Sequence, residues 1–263
     1  MSQNQPKKIL VAGGGGFIGG HLAGSLLAQG HEVVVADVKQ LDKWYQVHEG
    51  AQNHVVNLEE KEACCTVMEG CDEVYNLACN MGGMGFIEFN RALCMISVLI
   101  NTHLLMAARD QGVKGFFYAS SACVYPDYRQ DDTDVMALKE SDAYPAQPED
   151  GYGWEKLFSE RLYFSYSRNH GIPVRVARYH NIFGPEGTWD GGREKAPAAI
   201  CRKVAYAGQD GTIDVWGDGE QTRSFLFIDE CIEATYRLMQ SDFQGPVNIG
   251  SEEMVTINQL VDT

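Results

Sequence analysis

A strand that runs straight into four consecutive glycines sets the strongest limit on what this chain can fold into. Lys8–Ala12 reads as a short buried strand, and Gly13-Gly14-Gly15-Gly16-Phe17-Ile18-Gly19 follows at once and opens a helix. Glycines at 13, 16 and 19 permit a tight turn, close backbone approach to a pyrophosphate, and tight packing of helix on strand. The helix amino terminus then adds N–H donors and a partial positive charge. Such a pattern is informative only between a strand and a helix, with an acid about 20 residues further on. Here the second strand candidate ends at Asp37, where a carboxylate can accept a ribose 2′-hydroxyl and would repel a 2′-phosphate. Gly13, Gly16, Phe17, Ile18, Gly19 and Asp37 are therefore expected to hold NAD rather than NADP. Asn57 and Leu58, at the end of the third strand, are expected to bracket the adenine.

The amino-terminal half repeats this alternation. Strands are predicted at Lys8–Ala12, Glu32–Ala36, His54–Asn57, Glu73–Leu77, Gly115–Ala119 and Pro173–Arg178, with helices near 17–29, 59–69, 90–111 and 152–169. Alternating strands and helices predict βαβ units, hence an α/β fold: a Rossmann-like, doubly wound parallel sheet with helices on both faces. Residues 126–150, rich in Asp, Pro and Glu, read as a solvated excursion. After about residue 180 glycine and proline become frequent, and strand-like pieces at Thr212–Trp216 and Ser224–Phe227 break the order. This predicts an NAD-binding domain over 1–180 and a smaller substrate-binding lobe over 181–263, interleaved with the first. Val255–Thr263 reads as the opening of an unfinished helix, so the lobe is expected to be incomplete.

Composition removes several classes of function. A formal charge of −15 over 263 residues opposes nucleic acid or an anionic membrane as a bulk partner. Positive charge is concentrated in residues 191–203, which hold four cations and one anion. The eight cysteines show no Cys-x-x-Cys pair and no paired histidine spacing, so neither a zinc site nor a disulfide framework is expected. No signal-peptide core follows the amino terminus, and no apolar run is read as approaching the ~18 residues that cross a bilayer. The expectation is a reduced, cytoplasmic protein without a metal.

Tyr152-Gly153-Trp154-Glu155-Lys156 places a phenol and an ammonium at i and i+4 on one helix face. A cation near the phenol would lower its pKa toward the range useful for a general base. Ser121 lies at the end of a predicted strand, on the edge where ligands of open α/β sheets bind. With the glycine loop and Arg178-Tyr179-His180-Asn181-Ile182-Phe183-Gly184-Pro185, these residues resemble the extended short-chain dehydrogenase/reductase family. The resemblance implies a nucleotide-sugar substrate, Tyr152, Lys156 and Ser121 as catalytic groups, and Asn181 as a sugar or phosphate ligand. It also implies a homodimer whose interface uses the helices around 90–110 and 152–169.

Dehydratases of that family carry an Asp-Glu pair just after the serine, where this chain has Ala122 and Cys123. Three further segments are distinctive: Met81-Gly82-Gly83-Met84-Gly85-Phe86-Ile87, Gly191–Ala199 around Arg193-Glu194-Lys195-Ala196, and Trp216–Phe225. They resemble the family's 3,5-epimerases of GDP-sugars. That likeness implies Cys123 and Lys195 as the base and acid that invert two carbons. It also implies Gly82, Gly83, Ser121, Ala122, Cys123, Asn181, Glu194, Lys195, Ala196, Lys203, Gln221, Thr222 and Arg223 as contacts to the GDP-sugar. The bland alternatives are Cys123 as packing, Lys195 with Arg193 as a phosphate clamp, and the Met-Gly loop as a plain turn rather than a flap. A nucleotide-sugar 4-epimerase or oxidoreductase, and a non-catalytic dinucleotide sensor, are the rival readings.

Overall fold

The computed structural model describes residues 5–126, 128, 137–208, 211–215 and 217–263. Seven strands form one parallel sheet in the order β3 (Gln52–Val55), β2 (Glu32–Asp37), β1 (Lys8–Ala12), β4 (Glu73–Asn76), β5 (Gly115–Ser121), β6 (Val174–Tyr179) and β10 (Pro246–Ile249). The chain winds outward from β1 in both directions, so the strand order reverses between β1 and β4 and a crevice opens at their carboxyl ends.

Alternate side chains of each strand feed two cores. Leu10, Ala12, Val34, Phe116 and Tyr118 pack on one face, under α2 (Lys61–Val67), α5 (Val98–Gln111) and α6 (Tyr152–His170). Ile9, Val11, Val33, Tyr75 and Phe117 pack on the other, under α1 (Phe17–Ala28) and α8 (Ile228–Gln240). With both faces covered, the central strands are almost uniformly apolar.

The strand predictions hold to within two residues at their ends, and the long helix 152–169 runs one residue further. The helix expected over 90–111 divides into α4 (Arg91–Met95) and α5. At the break, the Ser97 hydroxyl leaves its helix to accept the Asn80 N–H at 3.0 Å. This stretch also corrects the expectation that no apolar run approaches the length that crosses a bilayer. Arg91–Gln111 is, by length and composition, apolar enough to cross a bilayer. Its inner face instead packs on α2 and α6, and Asn101 donates to Glu155 at 2.7 Å and to Ser159 at 3.0 Å.

Residues 212–215 form no strand, and Trp216 lies outside the described residues, as do 127 and 129–136 of the acidic excursion. Ser224–Phe227 divides between β8 (Thr222–Ser224) and β9 (Leu226–Phe227). β8 pairs antiparallel with β11 (Met254–Thr256), and β9 pairs with β7 (Ile182–Phe183). Among the described residues, three helices lie outside the predicted set: α3 (Met84–Phe89), α7 (Ala196–Ala207) and α8. Between them, α8 and β10 carry the chain back onto the main sheet. The closing helix α9 (Ile257–Asp262) is capped at Thr256, whose hydroxyl accepts the Gln259 N–H.

Beneath β5 and β6 lies a buried ion pair. Arg178 Nη2 donates to Glu160 Oε2 at 2.7 Å, with side-chain exposures of 1% and 3%. Burial opposes the guanidinium charge, but Glu160 more than offsets it and holds the pKa above its ordinary value. Glu160 also accepts the Ser120 hydroxyl at 2.6 Å, which fixes the strand end that carries Ser121. Removing one partner of such a pair leaves an uncompensated buried charge. Glu160→Leu should therefore cost about 3–5 kcal/mol in denaturant unfolding.

Candidate active site

The carboxyl edge of the sheet collects the chemistry in chain order. After β1, the chain turns at Gly13 with φ +81°, a conformation that side chains other than glycine rarely adopt. A Cβ there would also stand 2.7 Å from the Ala78 nitrogen. The first intrahelical bond of α1 runs from the Gly20 N–H to the Gly16 carbonyl at 3.0 Å. The N–H groups of Phe17, Ile18 and Gly19 therefore have no helical partner and face the loop. A bare glycine cradle ending in free donors suits a pyrophosphate. Asp37, buried at the end of β2, accepts the Lys39 N–H at 3.0 Å. It stands beside the loop, because the Lys39 ammonium donates to the Gly15 carbonyl at 2.8 Å. These features fit a dinucleotide. Further out, the Asn57 amide oxygen accepts the Glu59 N–H in a local turn, while Leu58 is a core side chain.

The redox group is assembled by one close approach. The first turn of α6 lies against the short turn Ala122–Val124, and a Cβ on Gly153 would collide with the Cys123 carbonyl oxygen. That carbonyl accepts the Glu149 N–H at 3.2 Å, and the Glu149 carboxylate accepts the Gly153 N–H at 2.9 Å. Tyr152, Cys79 and Cys123 consequently pack together, and the Ser121 hydroxyl bonds the Tyr152 phenol. Lys156 is buried; its ammonium donates to the Ala119 carbonyl at 2.9 Å and lies 5.5 Å from the centre of the Tyr152 ring.

The expected lowering of the Tyr152 pKa is not what this arrangement produces. Burial pushes the phenol well above its ordinary value, and Cys79, Cys123 and Glu155 add to that, against the Ser121 hydrogen bond. The chain by itself keeps Tyr152 protonated. Cys79, which the sequence does not single out, touches both Tyr152 and Lys156. Its one signal was position, three residues beyond β4 on the ligand edge.

Lys195 is the cap residue of α7. Its ammonium is shielded from solvent, and this desolvation lowers its pKa. Cys123 and Cys231 pull it partly back, which places Lys195 in the electrostatic field of the candidate base. Glu194 is fully engaged in shaping the loop: Oε2 accepts the Gly192 N–H at 2.7 Å and Oε1 accepts Arg202 at 2.8 Å. Ala196 begins α7, and about two turns further Lys203 donates to the Asp214 carbonyl at 2.6 Å. Asn181 donates to the Ser224 carbonyl at 3.2 Å and so tethers β8, which carries Thr222 and Arg223 beside Gln221. Gly82 and Gly83 lead into α3, and Gly83 abuts Glu194. Thus Ser121, Ala122, Cys123, Tyr152, Lys156 and Lys195 come together, whereas Lys203 and Arg223 point into solvent-facing contacts of their own lobe.

Residues 9–250 match the profile of the NAD dependent epimerase/dehydratase family. The chain belongs to that family. As a member of the epimerase/dehydratase family it is an NAD-dependent enzyme. It is 50% identical over 256 residues to GDP-mannose 3,5-epimerase of Arabidopsis thaliana, covering 97% of this chain and 67% of that one. It is 29% identical to UDP-glucuronic acid decarboxylase 4 of the same plant, over 96% of this chain and 55% of the relative. In fold it matches UDP-glucose 4-epimerase of Thermotoga maritima with a TM-score of 0.85 at 24% identity, over 97% and 80% of the two chains. The Thermus thermophilus UDP-glucose 4-epimerase, solved with NAD, gives 0.82 at 24% identity, over 97% and 81%.

The Lys195 environment has a measurable sign. Its native pKa lies below the ordinary 10.5, so the unfolded chain binds the proton more tightly. Stability attributable to Lys195 therefore rises with pH between the depressed native value and 10.5. Lys195→Met should raise the melting temperature most at acidic and neutral pH. The gain should fade as the pH climbs toward 10.5, which melting curves across pH will show.

Proposed function

We propose that this enzyme is an isomerase that epimerises GDP-mannose at carbons 3 and 5, to GDP-L-galactose with GDP-L-gulose as the 5-epimer, through a transient 4-keto sugar. The observation that carries the reading is the contact of Cys123 with Tyr152 in the field of Lys195. The 50% identity to GDP-mannose 3,5-epimerase over 97% of the chain supports it. A 4-epimerase needs no thiol beside its tyrosine, and dehydratases carry an Asp-Glu pair in place of Ala122-Cys123.

A C–H bond next to an alcohol is too weakly acidic for any side chain to ionise. Once carbon 4 is a ketone, its neighbours at carbons 3 and 5 can lose a proton to form an enolate. Tyr152, hydrogen-bonded to Ser121 and beside Lys156, takes the hydroxyl proton of carbon 4 and later returns it. NAD, which the glycine loop at 13–19 and Asp37 would hold, would supply a reversible hydride acceptor for carbon 4 and a positive charge for the site. Inversion then requires groups on opposite faces of the sugar ring, one removing a proton and one delivering it. Cys123 and Lys195 take these two parts, and the lowered pKa of Lys195 makes its proton easier to give.

In this reading residues 1–180 hold the cofactor and 181–263, interleaved with them, close over the sugar. The enzyme works in the reducing cytoplasm, in keeping with eight free cysteines. It works as a homodimer, in which exposed Ile96 and Leu99 by the α4–α5 break and Trp154 and Phe158 on α6 bury one another across a two-fold axis.

Incubation with GDP-mannose in heavy water should place deuterium at carbons 3 and 5; a 4-epimerase would place none. Cys123→Ala should still reduce bound NAD with GDP-mannose yet incorporate no deuterium at either carbon, and normal incorporation would remove Cys123 from its role. Phe158→Glu should shift the protein to half its native mass in analytical ultracentrifugation.

A further inference from the structure

The Met-Gly loop and the loop that carries Lys195 lie more than a hundred residues apart, yet one residue joins them three times. The Arg193 guanidinium stands 3.8 Å from the centre of the Phe86 ring. Its Nη1 donates to the Met81 carbonyl at 3.2 Å, and its own carbonyl accepts the Gly83 N–H at 3.2 Å. The approach is so close that a Cβ on Gly83 would sit 2.9 Å from the Glu194 carbonyl oxygen. On its far side the same loop is anchored separately, where Arg202 bridges Asp190 and Glu194 at 2.7 and 2.8 Å. Lys195 therefore sits between a fixed anchor on α7 and a clip to α3.

We infer that Arg193 is a positioning residue that clips the Met81–Phe86 flap to the Lys195 loop, so that closing the flap over the sugar also sets the amine for proton transfer. This rests on the epimerase reading. Oxidation at carbon 4 uses Tyr152, Ser121 and Lys156; the Arg193 side chain contacts Phe86 and Met81, which pack in the cluster that holds Tyr152. Proton transfer at carbons 3 and 5 needs Lys195 placed to within about an ångström, and misplacement on that scale costs roughly 10²-fold. The clip should thus weigh more on epimerisation than on oxidation, so that deuterium gained per oxidation event is the quantity that falls. It also gives Arg193 a task distinct from that of a phosphate clamp, holding the Phe86 ring and the Met81 carbonyl.

The test compares Arg193→Ala, Arg193→Lys, Phe86→Leu and the Ala/Leu double variant with the wild type. Two quantities are read: amide hydrogen exchange of residues 81–89, and deuterium gained at carbons 3 and 5 per bound NAD reduced by GDP-mannose. Arg193 is exposed, so its variants keep the fold. Arg193→Ala and Phe86→Leu should each speed amide exchange in 81–89 and cut deuterium per oxidation event by roughly 10–100-fold. The double variant should be no worse than either single one, since both remove the same contact. Arg193→Lys should recover part of the loss, because an ammonium can still face the ring and reach the Met81 carbonyl. Wild-type amide exchange in Arg193→Ala overturns the clip. So does an unchanged deuterium ratio in Phe86→Leu, which would make Arg193 a direct ligand of the sugar phosphate instead. A wild type that oxidises the sugar but exchanges nothing at carbons 3 and 5 overturns the epimerase reading, and the amide-exchange arm then decides the clip by itself.

Discussion

The site depends on one backbone approach. The amino-terminal turn of α6 rests on the carbonyl oxygen of Cys123, a distance that excludes even a Cβ at position 153. From that contact follow the placement of Tyr152 against Ser121, the packing of Cys123 on the phenol, and the burial of Lys156 under β5. Glu149 closes the arrangement from both sides, donating its N–H to Cys123 and accepting the Gly153 N–H on its carboxylate. A residue read at first as part of a Tyr-x-x-x-Lys spacing is therefore the hinge pin of the centre.

A polar layer beneath this contact keeps it rigid. Glu155 accepts Asn101 and Ser159, Asn101 in turn accepts Asn76, and Asn76 also donates to Tyr163 at 2.9 Å. The chain α6–α5–β4 is thus tied by hydrogen bonds within a largely apolar interior. Such a network raises stability only when its members are matched, since an unpaired buried polar group costs about 1–3 kcal/mol. Burial pushes the Glu155 pKa up, which favours the neutral acid and limits the negative charge beside Tyr152.

The parts of the fold legible in the sequence were those written locally. The glycine loop, the acid ending β2 and the β-branched runs each carry their signal within a few residues, and the structure follows them closely. β10 was invisible because its strand character comes from pairing with β6 across 70 residues. α7 hid behind its charges: its helix begins at a lysine cap followed by Ala196 and Pro197, and it buries no side chain fully. α8 is a different case. Ile228, Cys231, Ile232, Thr235, Leu238 and Met239 mark an apolar stripe at helical spacing, so its signal was present and was masked by the glycine-rich segments before it. At the site, residue types were legible and electrostatics were not. The i, i+4 spacing of Tyr152 and Lys156 suggested a lowered phenol pKa, whereas desolvation, a property of the folded interior, raises it.

That reversal bears on how such a centre divides its labour. A phenol held neutral by burial does not act as a base until positive charge arrives beside it, and an ammonium with a depressed pKa gives up its proton readily. Lys195 is biased in the direction its proposed task requires, whereas Tyr152 is biased against its own and needs positive charge beside it before it can take a proton. The two biases share one cause, exclusion of water from the carboxyl edge of the sheet. The flap held by Arg193 lies between the loop that carries Lys195 and the cluster that holds Tyr152. Access of water, placement of the amine and its proton affinity are therefore coupled variables. A change in the flap thus reaches the chemistry on two sides, at the Lys195 loop and in the Tyr152 cluster.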